Sequence, residues 1–207
     1  DLMEVLVLVL SFVILLSIGV PIAFSIGLAG ILTMLMSIDS IPAFTTFAHR
    51  MATGLDSFAL LAIPFFVLAG SIMNSGGIAK RLIDFARVLV GKLPAGLAFV
   101  NVIANMLFGA ISGSAAAASS AIGSIMAPEM KKEGYDENYS AAVNITSATT
   151  GLTIPPSNIL IIYSLASGGA SITALFLAGY VPGILTGLGI MLVAMFMMVF
   201  KNKGTRG

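Results

Sequence analysis

Cysteine is absent from the 207 residues, and histidine occurs once, at His49. Without thiols there are no disulfides, thiolate metal sites or cysteine nucleophiles. One imidazole cannot build a histidine metal cluster. Charge is also scarce. Asp, Glu, Lys and Arg make up 9% of the chain, where a soluble domain carries roughly 25%. A net charge of +1 gives no electrostatic footprint for nucleic acid. What remains is apolar: 58% hydrophobic residues and a mean hydropathy of +1.06. The apolar runs are continuous rather than alternating, which argues against an outer-membrane barrel. The composition is that of an all-α polytopic membrane protein.

The charges sit between the apolar runs or at their ends. Asp39, His49, Arg50 and Asp56 fill one gap, and Lys80, Arg81, Asp84, Arg87 and Lys92 a second. Glu129, Lys131, Lys132, Glu133, Asp136 and Glu137 form a third, and Lys201, Lys203 and Arg206 close the chain. The first run, Leu2–Val20, opens with Asp1 and Glu4 and lacks a basic leader, so it reads as a transmembrane helix rather than a cleaved signal. An initiator Met is expected ahead of Asp1. Pro21 starts a second span ending near Ile38, Ile41–Asp56 reads as a mixed connector, and Phe58–Ser75 is a third span ended by Gly76 and Gly77. In Ile78–Leu93, apolar Ile78, Leu82, Ile83, Phe85, Ala86, Leu89 and Val90 share one helical face opposite Lys80, Arg81, Asp84 and Arg87. That pattern predicts an amphipathic helix in the membrane interface. The alternative is a basic extension of the third span.

Two interruptions then break the apolar pattern. The arms Ala95–Gly109 and Ala115–Ala127 are joined by Ala110–Ser114 without a charge. Each arm spans about 20 Å at 1.5 Å per residue, against a hydrocarbon core of about 30 Å. They predict a re-entrant hairpin with its tip inside the membrane, Gly109 ending the first arm and Ser114 capping the second. The second interruption is TTGLTIPPS, Thr149–Ser157, in the middle of an apolar segment from Tyr139 to Leu165. Two adjacent prolines end a helix. Broken backbone at membrane depth is tolerated only where protein buries it or it lines a cavity, and it is a main sequence pointer to a transporter site. Half-helices Tyr139–Thr150 and Ser157–Ser167, a turn at Gly168 and Gly169, and a last span from Ile172 to Phe200 complete the reading. Gly179, Gly183 and Gly187, at spacing four, let another helix approach closely.

A hairpin returns to its own side, so the Lys80–Lys92 and Lys131–Lys132 clusters are expected together, in the cytoplasm by the positive-inside rule. Lys201, Lys203 and Arg206 then fall on the same side after two more crossings. The amino terminus is expected outside. An odd number of crossings means that a second, similar half would insert upside down, as in inverted-repeat transporters. The chain therefore reads as one repeat of two.

Where the interruptions meet, helix carboxyl ends offer partial negative charge to a cation and amino ends offer N–H groups to an anion. No Asp or Glu lies near either break. Backbone carbonyls and the hydroxyls of Ser112, Ser114, Thr149, Thr153 and Ser157 are the available ligands. Neutral oxygens suit a hard cation such as Na⁺ and cannot relay a proton, which favours sodium over proton coupling. Asn144 either orients a hydroxyl, contacts substrate, or makes an interhelical hydrogen bond. Ser119 and Ser120 serve a site or simply allow close packing. Ile111–Gly113 carries a serine but no placed base, so a serine protease is rejected and no enzyme activity is expected. A channel or assembly subunit stays open beside the transporter, as does a proton-coupled anion transporter.

Residues 110–158, AISGSAAAASSAIGSIMAPEMKKEGYDENYSAAVNITSATTGLTIPPSN, resemble the signature region of the large, DctM-like membrane subunit of tripartite ATP-independent periplasmic (TRAP) transporters. The segment AKRLIDFARVLVGKLPAGLA is similar too, and the likeness runs along the chain as the amino-terminal half of an inverted repeat. The resemblance implies an elevator-type, Na⁺-driven importer of organic acid anions such as C4-dicarboxylates, sugar acids or sialic acid, in the bacterial inner membrane. It implies a periplasmic solute-binding protein and a small four-helix membrane subunit as partners. Residues 1–77 would be scaffold and 78–93 the interfacial arm helix. Residues 94–168 would be half a transport domain, with the hairpin at 95–130 and the broken helix at 139–167, and 170–207 the last helix and tail. Ser112, Gly113 and Ser114 correspond to the hairpin tip, and Gly151, Ile154 and Pro156 to backbone Na⁺ ligands. Asn144, Thr149, Thr150, Ser157 and Asn158 are the substrate candidates.

Overall fold

A computed structural model describes residues 2–56 and 58–201. Among them are ten helices and no strand. Lys203 and Arg206, two of the expected cytoplasmic charges, lie outside the described residues. The chain forms two compact units divided between residues 57 and 58.

The first unit holds α1 (Leu2–Ser17), α2 (Ile22–Ser37) and α3 (Ser40–Leu55). The expected first two spans are each 16 residues long, because Gly19 at φ +88° and Pro21 take the residues between them into a turn. The Ser37 hydroxyl in the last turn of α2 donates to the Glu4 carboxylate in the first turn of α1, 2.6 Å away, so the two run antiparallel. The segment expected as a connector is instead the helix α3. Its Pro42 sits in the first turn, where a backbone N–H has no helical acceptor to lose. The ring of Phe47 packs against α2 at Gly27, where an added Cβ would lie in ordinary van der Waals contact with it.

The second unit contains α4 (Phe58–Ser75), α5 (Ile78–Val90), α6 (Gly96–Ser112), α7 (Ala115–Lys132), α8 (Glu137–Thr150), α9 (Asn158–Ala166) and α10 (Ile172–Lys201). The division between units falls ahead of α4. Helix α6 is the hub. Ala98, Val100, Val102, Ala104 and Phe108 are buried along it, against Ile83 and Ala86 of α5, Ile122 and Met126 of α7, Val143 of α8 and Ala194 of α10. The hydroxyl of Tyr139 donates to the Ala194 carbonyl at 2.9 Å, pinning α8 to α10. Most outward positions are large and apolar: Leu177, Val181, Leu185, Leu192 and Phe196 on α10 are all exposed. A soluble surface would not carry such a strip. By length and composition, Ile172–Phe200 is the one helix among the described residues able to cross a membrane alone, and α1, α2 and α6 are shorter apolar helices.

Candidate functional site

The hairpin tip is narrower than its sequence implies. Helix α6 does not stop at Gly109 but continues to Ser112, and Gly113 ends it in the left-handed region, φ +64°, with its N–H bonded to the Gly109 carbonyl at 2.9 Å. Glycine adopts that conformation without steric cost, which suits the end of a helix. Ser114 is extended and caps α7 as expected, its hydroxyl accepting from the Ala117 N–H at 3.2 Å. The Ser112 hydroxyl turns back on the tip, 3.4 Å from both the N–H and the carbonyl oxygen of Ser114.

Gly109 has a different task. A methyl group there would stand 3.0 Å from the Gly151 Cα, and one on Gly151 would stand 2.6 Å from the Gly109 Cα and 2.9 Å from the Asn105 carbonyl. The two helices cross backbone to backbone at the point where α8 ends. Beyond Gly151 the chain makes three successive tight turns: Leu152 N–H to Thr149, Thr153 N–H to Thr150 and Ile154 N–H to Gly151, at 3.2, 3.2 and 3.3 Å. The cis Pro155–Pro156 peptide follows, and α9 begins at Asn158. The expected break is therefore present over Gly151–Ser157.

Carbonyls of the break separate into two groups. The Gly151 oxygen accepts from Ile154, and the Leu152 oxygen accepts from the buried Ser157 hydroxyl. Among the described residues no N–H or hydroxyl donates to the oxygens of Ile154 or Pro156. Both breaks also meet. A side chain on Gly113 would run into the amide of Asn158, which places the end of α6 against the start of α9. Asn158 is 7% exposed, and its amide oxygen has no hydrogen-bond partner. Such an orphaned buried acceptor costs about 1–3 kcal/mol unless something donates to it or coordinates it. No charged residue lies between Asn105 and Ala127 or between Tyr139 and Phe200, so the locus is polar but neutral. Helix α10 backs it: Gly179 faces the Thr153 carbonyl and Leu160, and Gly183 faces Ile154.

The other candidates have hydrogen-bond partners of their own. Thr149 is exposed and Thr150 buried, and their hydroxyls return to their own helix, donating to Thr146 at 2.8 Å and Ser147 at 2.6 Å. Asn144 is held at both ends of its amide. It donates to the Ser119 carbonyl at 2.9 Å and the Ser119 hydroxyl at 3.0 Å, and accepts from Asn105 at 3.0 Å. Asn105 donates to the Asn101 amide oxygen at 2.6 Å, extending an amide ladder across α6, α7 and α8, while its own amide oxygen, like that of Asn158, has no partner. The interhelical role is the one the geometry displays. The signal for Asn101 and Asn105 was in the sequence: two amides one turn apart in an otherwise apolar arm. A cleft of about 630 Å³ opens beside the ladder between α7 and α8, with Ser120, Ser124 and Ser140 on its walls.

The charged residues gather at the hairpin root. Arg87 of α5 pairs with Glu129 of α7, and Lys131 with Glu137 at 2.5 Å. The Glu137 carboxylate raises the Lys131 ammonium above its ordinary value, and burial raises the Tyr135 phenol.

Residues 9–206 match the DctM component of the tripartite ATP-independent periplasmic transporters. The uncharacterized protein YgiK of Salmonella typhimurium is 57% identical over 92% of this chain and 44% of its own length. The C4-dicarboxylate TRAP transporter large permease protein DctM of Rhodobacter capsulatus is 41% identical over 81% of this chain and 40% of its own. The 2,3-diketo-L-gulonate TRAP transporter large permease protein YiaN of Escherichia coli K12 is 42% identical over 85% of this chain and 41% of its own. The chain thus spans less than half the length of these relatives. With a match along almost its whole length and an all-helical fold broken where the motifs break, it belongs to the DctM, or large permease, family of TRAP transporters.

Proposed function

We propose that this chain supplies one half of the transport site in the large permease of a Na⁺-coupled importer of organic acid anions. The observation that carries the reading is the buried, unpartnered amide oxygen of Asn158, on the side chain that meets the hairpin tip at Gly113 and follows a break whose Ile154 and Pro156 carbonyls receive no hydrogen bond among the described residues. Neutral oxygens gathered without a carboxylate fit a hard monovalent cation. Gly113, which meets Asn158, is flanked on the tip by Ser112 and Ser114. Gly151 contributes its close packing and stays a candidate ligand, because a carbonyl that accepts from Ile154 keeps a second lone pair. The amino ends of α7 and α9 offer N–H groups to a carboxylate, so one locus has ends for cation and anion alike. The names of the relatives support the substrate class: C4-dicarboxylate for one, diketogulonate for another.

In this reading the helices before the arm are a static scaffold, and α6–α9 belong to a moving body completed by an inverted second half. The whole works in the bacterial inner membrane with a small four-helix subunit and a periplasmic solute-binding protein. Proton coupling is disfavoured because no titratable group lies at the breaks. The test is uptake of labelled succinate and of a sugar acid by the complete transporter in proteoliposomes, with its binding protein and imposed gradients. Saturable uptake that needs a Na⁺ gradient and survives collapse of the pH gradient is expected. Uptake that follows the pH gradient without Na⁺ overturns the coupling. Flux that neither saturates nor responds to either gradient favours a channel.

A further inference from the structure

Helix α4 is attached to its unit by a narrow seam. Among its described residues only Gly70 is fully buried, and Ile63, Phe66 and Met73 are half-buried along the same helical face. Phe65, Val67 and Ile72 point outward and are exposed. No described residue of α4 joins the buried core around α6. Gly70 meets the hairpin tip. A methyl group added there would stand 3.0 Å from the Ser112 Cα and 3.4 Å from its Cβ and its carbonyl oxygen. Backbone lies on backbone, as small residues allow between membrane helices. Helix α4 packs on α9 as well, so it touches both helices that meet through Gly113 and Asn158. At its carboxyl end only Gly76 and Gly77 separate it from α5. Gly77 is left-handed, φ +72°, with open space where a side chain would stand. Such a pair lets one helix turn against the next at little steric cost.

A seam of one glycine and three half-buried apolar residues forfeits little when it parts. In a bilayer the parted surfaces meet acyl chains and not water, so separation costs packing alone. Helix α4 precedes the arm and falls in the part read as static, whereas the tip falls in the part read as moving. Resting on that transport reading, we propose that α4 closes over the hairpin tip at Ser112 in one end state of the transport cycle. In the other end state the Gly70–Ser112 seam parts and opens the tip side of the ion locus. Glycine suits the seat of this gate, because any Cβ at position 70 must displace the tip backbone by a few tenths of an ångström.

The chain has no cysteine, so an engineered pair is unambiguous. An added Cβ at Gly70 lies 3.4 Å from that of Ser112, just under the roughly 3.5–4.5 Å of disulfides. Gly70→Cys with Ser112→Cys is placed in the complete transporter in proteoliposomes and oxidised with copper phenanthroline. A cross-link is expected, with uptake of labelled succinate or sugar acid falling tenfold or more and returning on reduction. Undiminished uptake by the cross-linked pair shows that α4 travels with the tip and overturns the proposal. A pair that does not cross-link overturns the contact itself. Where Ser112→Cys silences uptake before oxidation, Gly70→Cys alone carries the test. Its reaction with a small methanethiosulfonate is expected to change several-fold between Na⁺ and choline buffers. Equal rates in the two buffers overturn the gate. The sodium dependence of the unaltered transporter is measured separately, so a seam that never parts leaves the sodium reading standing.

Discussion

The decisive residues at the smallest scale are glycines and one asparagine. Gly109 and Gly151 allow two backbones to touch, and an added methyl meets backbone atoms rather than a side chain that could yield. Gly151→Ala should lower stability by about 1–3 kcal/mol, as overpacking does. Gly109→Ala should cost less, because its nearest approach is 3.0 Å against 2.6 Å. Thermal unfolding of the two variants in detergent checks the order. Asn158 separates a site from a packing role by sign. If its oxygen serves only as filler, Asn158→Leu removes an orphaned acceptor and stability stays level or rises. Under the proposed reading the same variant also raises the Na⁺ concentration needed for half-maximal uptake by tenfold or more. A variant as stable as the parent with unchanged sodium dependence would refute the assignment. Serine 114 was legible as a cap because an extended hydroxyl residue before an apolar run has few other uses. Asn158 was legible only as a polar residue after the prolines, since its lack of a partner depends on what surrounds it.

At the scale of elements, the breaks were readable and their exact ends were not. Pro155 and Pro156 mark a helix stop by covalent structure alone, and the stop lies where they require it. Gly109 looked like a stop and is a crossing point, because a glycine in sequence does not reveal whether it serves φ or proximity. Helix α3 was missed since His49 and Arg50 interrupt its apolar pattern and Pro42 imitates a breaker. A proline in a first turn is compatible with the helix it begins. Replacing Pro155 and Pro156 by alanine should lengthen helix from Thr150 toward Asn158 and withdraw the Ile154 and Pro156 carbonyls into helical hydrogen bonds. The expected result is correct insertion with loss of Na⁺-dependent uptake. Normal uptake by the inserted double variant would argue that the break is not part of the site. The glycines of α10 show the opposite case, an element read correctly: Gly179, Gly183 and Gly187 do bring α10 close, and their partners are the broken segment and Met106.

For the whole molecule, orientation is the property that the charge pattern predicts most directly. Lys80 and Arg81 stand on α5 and Lys131 and Lys132 end α7, on either side of a hairpin that leaves and returns. Because the chain contains no cysteine, single substitutions can report sidedness. Lys132→Cys should react with an impermeant maleimide only from the cytoplasm, and Gly169→Cys only from the periplasm. Labelling of both from one side would remove the inverted-repeat argument. Composition, charge placement and paired prolines by themselves pointed to a helical membrane protein with an interrupted helix, because these are local constraints of solvation and backbone chemistry, and the motifs of residues 110–158 carried the resemblance to the large permease family. Only the tertiary structure decided that the interruptions touch through Gly113 and Asn158 and that Asn144 joins an amide ladder. Those outcomes depend on which surfaces pack against which, and packing is a relation between distant residues that no local pattern contains.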